Sequence, residues 1–221
     1  MPIDPLITGW LGALEERHLA DLTMSEVARA LRALSSCYVE RRAKLAEGGA
    51  LSSKGKRAAF ALFYGPQHLL VTREILKALP AGTDPINEVV DLGCGTGAAG
   101  VAWALAGGTR LIRGFDRHPW AIAEASWTYR QFQLHGRVVQ ANIAVPHVAE
   151  RHRARPQATS LGRPGTAILA AYAANELAPE GRATLLTSLL EAHAQGARVL
   201  VVEPIARRAL PWWRDWQTAV E

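Results

Sequence analysis

Apolar and polar residues follow two spacings along this chain, and each spacing predicts one kind of element. In the first part of the chain, apolar residues recur at helical intervals, as at Val27, Leu31 and Leu34. From residue 86 onward, short apolar runs that we interpret as strands alternate with helical segments. In a chain of 221 residues, this pattern favours one α/β domain with a helical appendage.

The predicted elements have the following bounds. Helices are predicted over Leu6–Leu19, Met24–Glu47, Ala58–Leu79, Ala98–Leu105, Pro119–His135 and Pro179–Gln195. Strands are predicted over Ile86–Asp91, Leu111–Phe115, Arg137–Asn142, Thr166–Tyr172 and Ala197–Val202. The third helix is expected to break at Gly65 and Pro66, because proline removes a backbone donor. The basic stretch Ser52–Arg57 is expected to be a linker, and Phe63 to lie in the core.

One glycine-rich turn stands between the first predicted strand and an apolar helix. Its glycines are Gly93, Gly95 and Gly97. Without a side chain, glycine lets a ligand approach the backbone closely. The following helix N-terminus offers unpaired N–H groups and the positive end of its dipole. The turn therefore predicts a nucleotide-cofactor site, although a turn with a purely structural role stays open.

Two kinds of cofactor compete for this turn. The segment from Gly95 to Gly100 matches the G-x-G-x-x-G pattern of dinucleotide-binding folds. Asp91, at the end of the strand, favours the other kind, because a carboxylate there would repel a pyrophosphate and hold a cationic group. Asp116 lies 19 residues after Gly97 and suits the ribose hydroxyls of either cofactor.

The block from Asp91 to Gly97 resembles the first motif of class I S-adenosylmethionine-dependent methyltransferases. The resemblance implies a doubly wound, mostly parallel, Rossmann-like sheet whose loop wraps the amino-acid end of S-adenosyl-L-methionine. It also implies that a polar residue after the third strand meets the adenine, the place that Asn142 occupies. The predicted cofactor contacts are Asp91, Gly93, Cys94, Gly95, Gly97, Asp116, Arg117 and Asn142.

The resemblance also implies where a methyl-accepting substrate would lie. In this fold the residues after the fourth strand face the transferable methyl group, so Tyr172, Asn175 and Glu176 are the candidate catalytic residues. Glu176 is the preferred candidate for a general base and His118 the second. The chain has no Asn/Asp-Pro-Pro-Tyr motif after that strand and no cysteine after strand four or five. Amino-directed adenine and cytosine methylation and covalent cytosine carbon-5 methylation are therefore disfavoured.

A looser pattern from Lys56 to Arg208 resembles the methyltransferase-like assembly factors of the small ribosomal subunit. It implies methylation of RNA, in particular rRNA, or of a ribosome-associated target. The cysteine cluster that holds iron–sulfur in that family has no counterpart here. Three alternatives stay open: a non-catalytic ribosome-assembly or RNA-binding factor, a small-molecule methyltransferase and, least favoured, a nicotinamide-dependent oxidoreductase.

Composition adds modest constraints. The chain has 25 basic and 20 acidic residues, a net charge of +5, which suits an anionic partner such as RNA. Basic residues outnumber acidic ones between 146 and 165, a possible nucleic-acid surface. Cys37 and Cys94 are the two cysteines and indicate neither a disulfide framework nor a zinc site. Without a signal peptide or a long apolar run, the expectation is a cytoplasmic protein that has no membrane segment.

The division of the chain is predicted as an N-terminal helical cap, 1–52, and a methyltransferase domain, 53–221. The family resemblance implies two further strands after the fifth, which the sequence lacks. The fifth strand would then be an open edge, which folded proteins normally protect. We expect the tryptophan-rich segment Trp212–Trp216 to help cover it.

Overall fold

The computed structural model describes residues 4–39, 51–80, 82–144, 162–204 and 210–220. The helices are α1 Pro5–Leu19, α2 Met24–Val39, α3 Lys54–Ala59, α4 Gly65–Ala78, α5 Ala98–Ala106, α6 Pro119–Gln131, α7 Pro179–Ala194 and α8 Trp213–Val220. The strands are β1 Glu88–Leu92, β2 Leu111–Asp116, β3 His135–Gln140, β4 Thr166–Ala171 and β5 Arg198–Val202. A π-helical segment, Phe60–Tyr64, joins α3 to α4, and a 3-10 turn, Ala174–Glu176, follows β4.

The five strands form one parallel sheet in the order β3-β2-β1-β4-β5. Every residue of β1 and β4 is buried, as expected for inner strands that are covered on both faces. The register sets Asp91 of β1 opposite Gly114 of β2 and Leu169 of β4. The expected doubly wound α/β architecture is confirmed, and among the described residues the sheet ends at β5.

Alternate residues of β1 enter different hydrophobic clusters on the two faces of the sheet. Val89 joins a cluster with residues of α1, α4, α5 and α6. Val90 and Leu92 join a second cluster with Leu185 and Leu189 of α7. This alternation follows from the twofold side-chain period of a strand. The two covered faces leave the carboxyl ends of the strands as the place where this fold positions its ligand site.

Three predictions about the segment before the sheet are wrong. Part of the expected linker is helical: α3 begins after Ser53, whose hydroxyl accepts the N–H of Lys56 at 3.3 Å. The hydrogen-bonding pattern of the helix changes in the π-helical segment rather than at Pro66. Pro66 lies in the first turn of α4, where a missing N–H costs little. Phe63, expected in the core, is 46% exposed, because the segment turns it away from the sheet.

Several element ends also differ from the prediction. The helix expected to reach His135 ends at Gln131, and His135 instead begins β3. Gln133 between them has a φ of 54°, a turn conformation that local spacing does not reveal. The part of the second helix predicted beyond Val39 lies outside the described residues. The same holds for residues 146–161 of the basic region predicted between 146 and 165.

Helix α1 is fastened to the sheet domain by a buried carboxylate. Glu124 of α6 is fully buried and pairs with two residues of α1, Arg17 at 3.1 Å and His18 at 2.7 Å. Trp10 of the same helix packs against Phe132, with ring centroids 5.4 Å apart. The first helix thus shares the core of the sheet domain, and the boundary predicted at residue 52 stays a prediction.

The tryptophan-rich segment packs on the α7 face of the sheet. Trp216 is 8% exposed and joins the cluster of Leu185 and Leu189. The Arg182 guanidinium lies 5.3 Å from the ring centre of Trp212. The segment therefore covers apolar surface beside β5, in the direction that the sequence predicts. Among the described residues, no helix combines the length and apolar character needed to cross a bilayer.

We expect Glu124→Gln to lower the free energy of unfolding by about 3 kcal/mol, because it removes the charge that faces Arg17 and His18 in a buried site. Urea unfolding followed by circular dichroism measures the change. Glu74→Gln is the matched control, because Glu74 makes its ion pairs with Arg73 and Lys77 in solvent and should change nothing measurable. Equal unfolding midpoints for the two variants would contradict the assignment.

Candidate functional site

A cavity of about 1060 Å³ opens at the carboxyl ends of the strands. Its walls are the glycine-rich loop, the ends of β2, β4 and β5, and one side of the π-helical segment and α4. The volume lies at the upper end of the range for small-molecule sites, so a cofactor and a second molecule both fit. All the predicted site residues line the cavity except Gly97.

The glycine-rich loop is fixed to the neighbouring strand by its backbone. The N–H groups of Gly93 and Cys94 donate to the carbonyl of Phe115 at 2.7 and 3.0 Å. Gly93 has a φ of 73°, and a β-carbon on it would lie 2.5 Å from that of Ala173. The loop therefore needs glycine at this position for conformation and for space.

Gly97 packs closely against a neighbouring helix, and the cofactor contact predicted for it stays a prediction. A β-carbon on Gly97 would lie 2.6 Å from the ring of Tyr129 and 3.1 Å from the β-carbon of Ala125. Both neighbours belong to α6, and Gly97 does not line the cavity. Cys94 does line the cavity, and burial raises the pKa of its thiol well above the usual value, so the thiol stays neutral.

Asp91 places a buried carboxyl group beneath the loop. The residue is 1% exposed, and within the described chain neither oxygen makes a hydrogen bond of good geometry. Burial raises the pKa of Asp91 to about 7; the nearby Gly100 N–H opposes this rise and the charge of Asp116 adds to it. A buried carboxyl group without a partner is costly, and a cationic ligand is the natural partner for it.

Asp116 connects the end of β2 to the loop. Its two oxygens accept the N–H of Gly95 at 3.0 Å and of His118 at 2.8 Å. The N-cap of α6 is His118, whose Nδ1 accepts the N–H of Trp120 at 3.1 Å. Each carboxylate oxygen has a second lone pair, so Asp116 retains the capacity to accept from a ribose.

The other two predicted cofactor contacts flank Asp116. The Asn142 side-chain oxygen accepts the N–H of Ala144 at 3.0 Å, which orients the amide at the end of the cavity beyond β3. Arg117 lies 3.8 Å from Glu176, so an ion pair joins the β2 side of the cavity to the β4 side. These placements agree with the sequence-based site, and the roles stay predictions.

The three predicted catalytic residues lie together after β4. Tyr172 has a φ of 58°, which is uncommon for a bulky side chain and is found most often where structure is held for function. The Asn175 N–H donates to Glu203 Oε1 at 3.0 Å. The 3-10 turn then brings Glu176 to the same wall.

Sequence reasoning missed His68 and Glu203 as cavity residues. The His68 ring stacks on that of Tyr172, with centroids 4.1 Å apart and planes 16° from parallel. Part of its surface faces the cavity, yet the surrounding side chains exclude enough water that burial lowers its pKa to about 4. No local motif marks His68 because it lies within a helix, whereas Glu203, at the end of β5, stands where this fold collects site residues.

Comparison with known proteins identifies the fold. A family model, the methyltransferase small domain, matches residues 70–152, less than half of the chain. The plantazolicin methyltransferase BpumL, whose structure contains SAH, is 14% identical with a TM-score of 0.50; the match covers 85% of this chain and 66% of that one. The fold of this chain is therefore that of the class I methyltransferases.

Two further solved structures are from Streptomyces. DesVI of Streptomyces venezuelae is 17% identical with a TM-score of 0.45, covering 66% of this chain and 54% of that one. Geranyl diphosphate C-methyltransferase of Streptomyces coelicolor A3(2) is 16% identical with a TM-score of 0.42, covering 69% and 52%. This chain thus spans about half the length of both. No curated protein matches it.

We expect Gly93→Ala to destabilise the protein more than Gly108→Ala does. Both glycines have positive φ, 73° and 69°, but only at Gly93 would the new methyl group meet an atom, since nothing lies within 4 Å at Gly108. Each variant carries the cost of a left-handed alanine, about 1 kcal/mol, and Gly93→Ala adds the clash with Ala173. Thermal unfolding compares the two, and equal losses would contradict the close packing of the loop.

Asp91 predicts a pH-dependent stability. Because its pKa is raised in the folded state, its contribution is fully present below the ordinary pKa of 3.8 and is lost as pH rises through about 7. The shift corresponds to about 4 kcal/mol. Asp91→Asn should therefore gain stability relative to the wild type between about pH 4 and about pH 8. Urea unfolding across this range measures the difference, and a constant difference would refute the assignment.

Proposed function

We propose that this protein is an S-adenosyl-L-methionine-dependent methyltransferase. The observation that carries the proposal is the Asp91 carboxyl group, buried without a hydrogen bond of good geometry beneath a loop whose Gly93 and Gly95 line the cavity. The family match and the likeness to BpumL support the same class. A dinucleotide is disfavoured, since its pyrophosphate would approach this carboxylate.

The residues of the cavity suit the parts of this cofactor. Asp91 would face the positively charged amino-acid end, where ammonium and sulfonium groups lie. Asp116 would accept from the ribose hydroxyls, and Asn142 would lie toward the adenine. S-adenosyl-L-methionine supplies an activated methyl group on a positively charged sulfur.

The protein's own task in such a transfer is mainly to align the reacting groups and to exclude water. The cavity walls carry out the second part, because they enclose the ends of β1 and β4 together. Tyr172, Asn175 and Glu176 would hold the acceptor on the β4 side. Glu176 is a candidate proton acceptor there, and its ion pair with Arg117 holds it at that wall.

The acceptor is a separate part of the proposal. RNA or a ribosome-associated target is supported by the net charge of +5 and by the loose resemblance to ribosomal assembly factors. A binding factor that retains the fold without catalysis is the second candidate, since that resemblance extends to proteins of this kind. A small-molecule acceptor is the third, and the enclosed cavity favours it.

We expect calorimetric titration to show micromolar binding of S-adenosyl-L-methionine and no binding of NAD. Asp116→Asn and Asp91→Asn should each weaken the former about tenfold or more, the scale of a lost charge-assisted contact. Asp84→Asn is the matched control, because Asp84 is exposed and pairs with Arg198 before β1 begins. Binding of NAD in preference, or equal affinity in all variants, would overturn the proposal.

A second measurement determines the acceptor class. It asks which class of molecules, RNA, protein or small molecules, receives a radiolabelled methyl group. Label in RNA that is lost after ribonuclease treatment would identify an RNA target. Cofactor binding without transfer to any fraction, together with RNA binding that weakens steeply with salt, would identify the non-catalytic factor.

A further inference from the structure

The cavity has a second half that the cofactor contacts do not explain. Strand order places β2 on one side of β1 and β4 and β5 on the other. The half beside β4 and β5, here called the acceptor half, is lined by Tyr172, Glu203, Tyr64 and His68. Its surface combines aromatic rings with a carboxylate.

Charge in the described part of the cavity lining is mostly negative. The lining has one guanidinium group, that of Arg117, and four carboxyl groups: Asp91, Asp116, Glu176 and Glu203. Both lining histidines, His68 and His118, have lowered pKa values, chiefly because of burial, and are neutral at pH 7. In a concave site lined mainly by one sign of charge, this excess disfavours an anionic substrate and favours a cationic one.

Three rings form a continuous aromatic wall in the acceptor half: Tyr64, His68 and Tyr172. His68 stacks on Tyr172 at 4.1 Å and lies 6.0 Å from Tyr64. No hydrogen bond among the described residues reaches the His68 ring, so stacking fixes its position. Stacked rings present faces and edges to the cavity without bringing in a further charge.

Glu203 lies beside this wall in a fixed orientation. Its Oε1 accepts the N–H of Asn175 at 3.0 Å. The Tyr172 N–H donates to the carbonyl of Val202, the residue before Glu203, at 2.7 Å, and Tyr172 and Glu203 both line the cavity. A carboxylate next to aromatic faces is the combination that binds ammonium groups in proteins, through a charge-assisted contact and cation–π attraction.

We propose that the acceptor substrate is an amine on an aromatic or apolar carrier, held as its ammonium ion by Glu203 and the aromatic wall. The inference rests on the proposed methyltransferase function and names the substrate class of the same cavity. The negative lining of the cavity supports the same class, because Asp116, Glu176 and Glu203 face a single guanidinium group among the described lining residues.

The transfer balances as follows. The ammonium ion gives one proton to the Glu203 carboxylate, which frees the nitrogen lone pair. That lone pair forms a bond to the methyl carbon while the carbon–sulfur bond breaks, and the electron pair of that bond stays on sulfur. The products are a methylated ammonium ion and a neutral thioether, and the Glu203 proton passes to water.

The test uses three probes of the same shape and different charge: benzylamine, benzyl alcohol and benzoate. Each is titrated by ligand-observed NMR into the full chain saturated with S-adenosyl-L-homocysteine. We expect benzylamine to bind about tenfold more tightly than benzyl alcohol, the scale of one charge-assisted contact, and benzoate not to bind. Equal binding of benzoate, or tighter binding of benzyl alcohol than of benzylamine, would overturn the proposal.

Glu203→Gln should remove the preference for benzylamine over benzyl alcohol while the affinity for S-adenosyl-L-homocysteine remains. Glu191→Gln is the matched control, because it removes the same charge from an exposed site on α7. If Glu203→Gln does not fold, the relative affinities of the three probes for the wild type still test the proposal. Absence of S-adenosyl-L-homocysteine binding would instead contradict the proposed function itself, and the two failures are thereby distinguished.

Discussion

The contact between the Asp91 carboxyl group and the start of α5 governs the site. A β-carbon on Gly100 would lie 2.4 Å from Asp91 Oδ2, so the helix rests directly on the strand that carries the acid. This close approach buries Asp91 and raises its pKa. The contact also fixes the position of the glycine-rich loop relative to the sheet, because the loop leads directly into this helix. The geometry of the cavity floor follows from these few atoms.

Burial of that acid has an energetic cost that the rest of the fold must offset. The inner strands supply the offset, since Val89, Val90, Ile168 and Leu169 are fully buried among helices. Tyr172 adds a second cost through its left-handed backbone. The buried acid and the left-handed Tyr172 both lie at the carboxyl ends of the strands, whereas the most regular packing lies away from these ends. This distribution is typical of proteins in which stability is reduced locally for binding.

The sheet and the cofactor half of the cavity could be predicted from the sequence because their signals are local. A short apolar strand, alternating glycines and an acid after the next strand all lie within 28 residues, from Val89 to Asp116. The acceptor half depends on tertiary contacts instead. His68 lies in α4 and Tyr172 follows β4, so their rings meet only in the folded chain. Helix α3 was not predicted because its basic residues suggested an exposed linker, although Ala58 and Ala59 are buried. At Gly97 the sequence does not separate the two roles, because close packing and ligand approach both select glycine.

The ion pairs of Glu124 bear on which part of the chain is a folding unit. The segment that matches the methyltransferase small domain begins at residue 70 and includes Glu124, but Arg17 and His18 lie far before it. Residues 70–152 alone would retain a buried negative charge whose partners are gone, and they would also lack His68, β4 and Tyr172. A boundary drawn by sequence similarity thus divides one folding unit. We expect a protein that comprises residues 70–152 alone to aggregate or to remain partly unfolded.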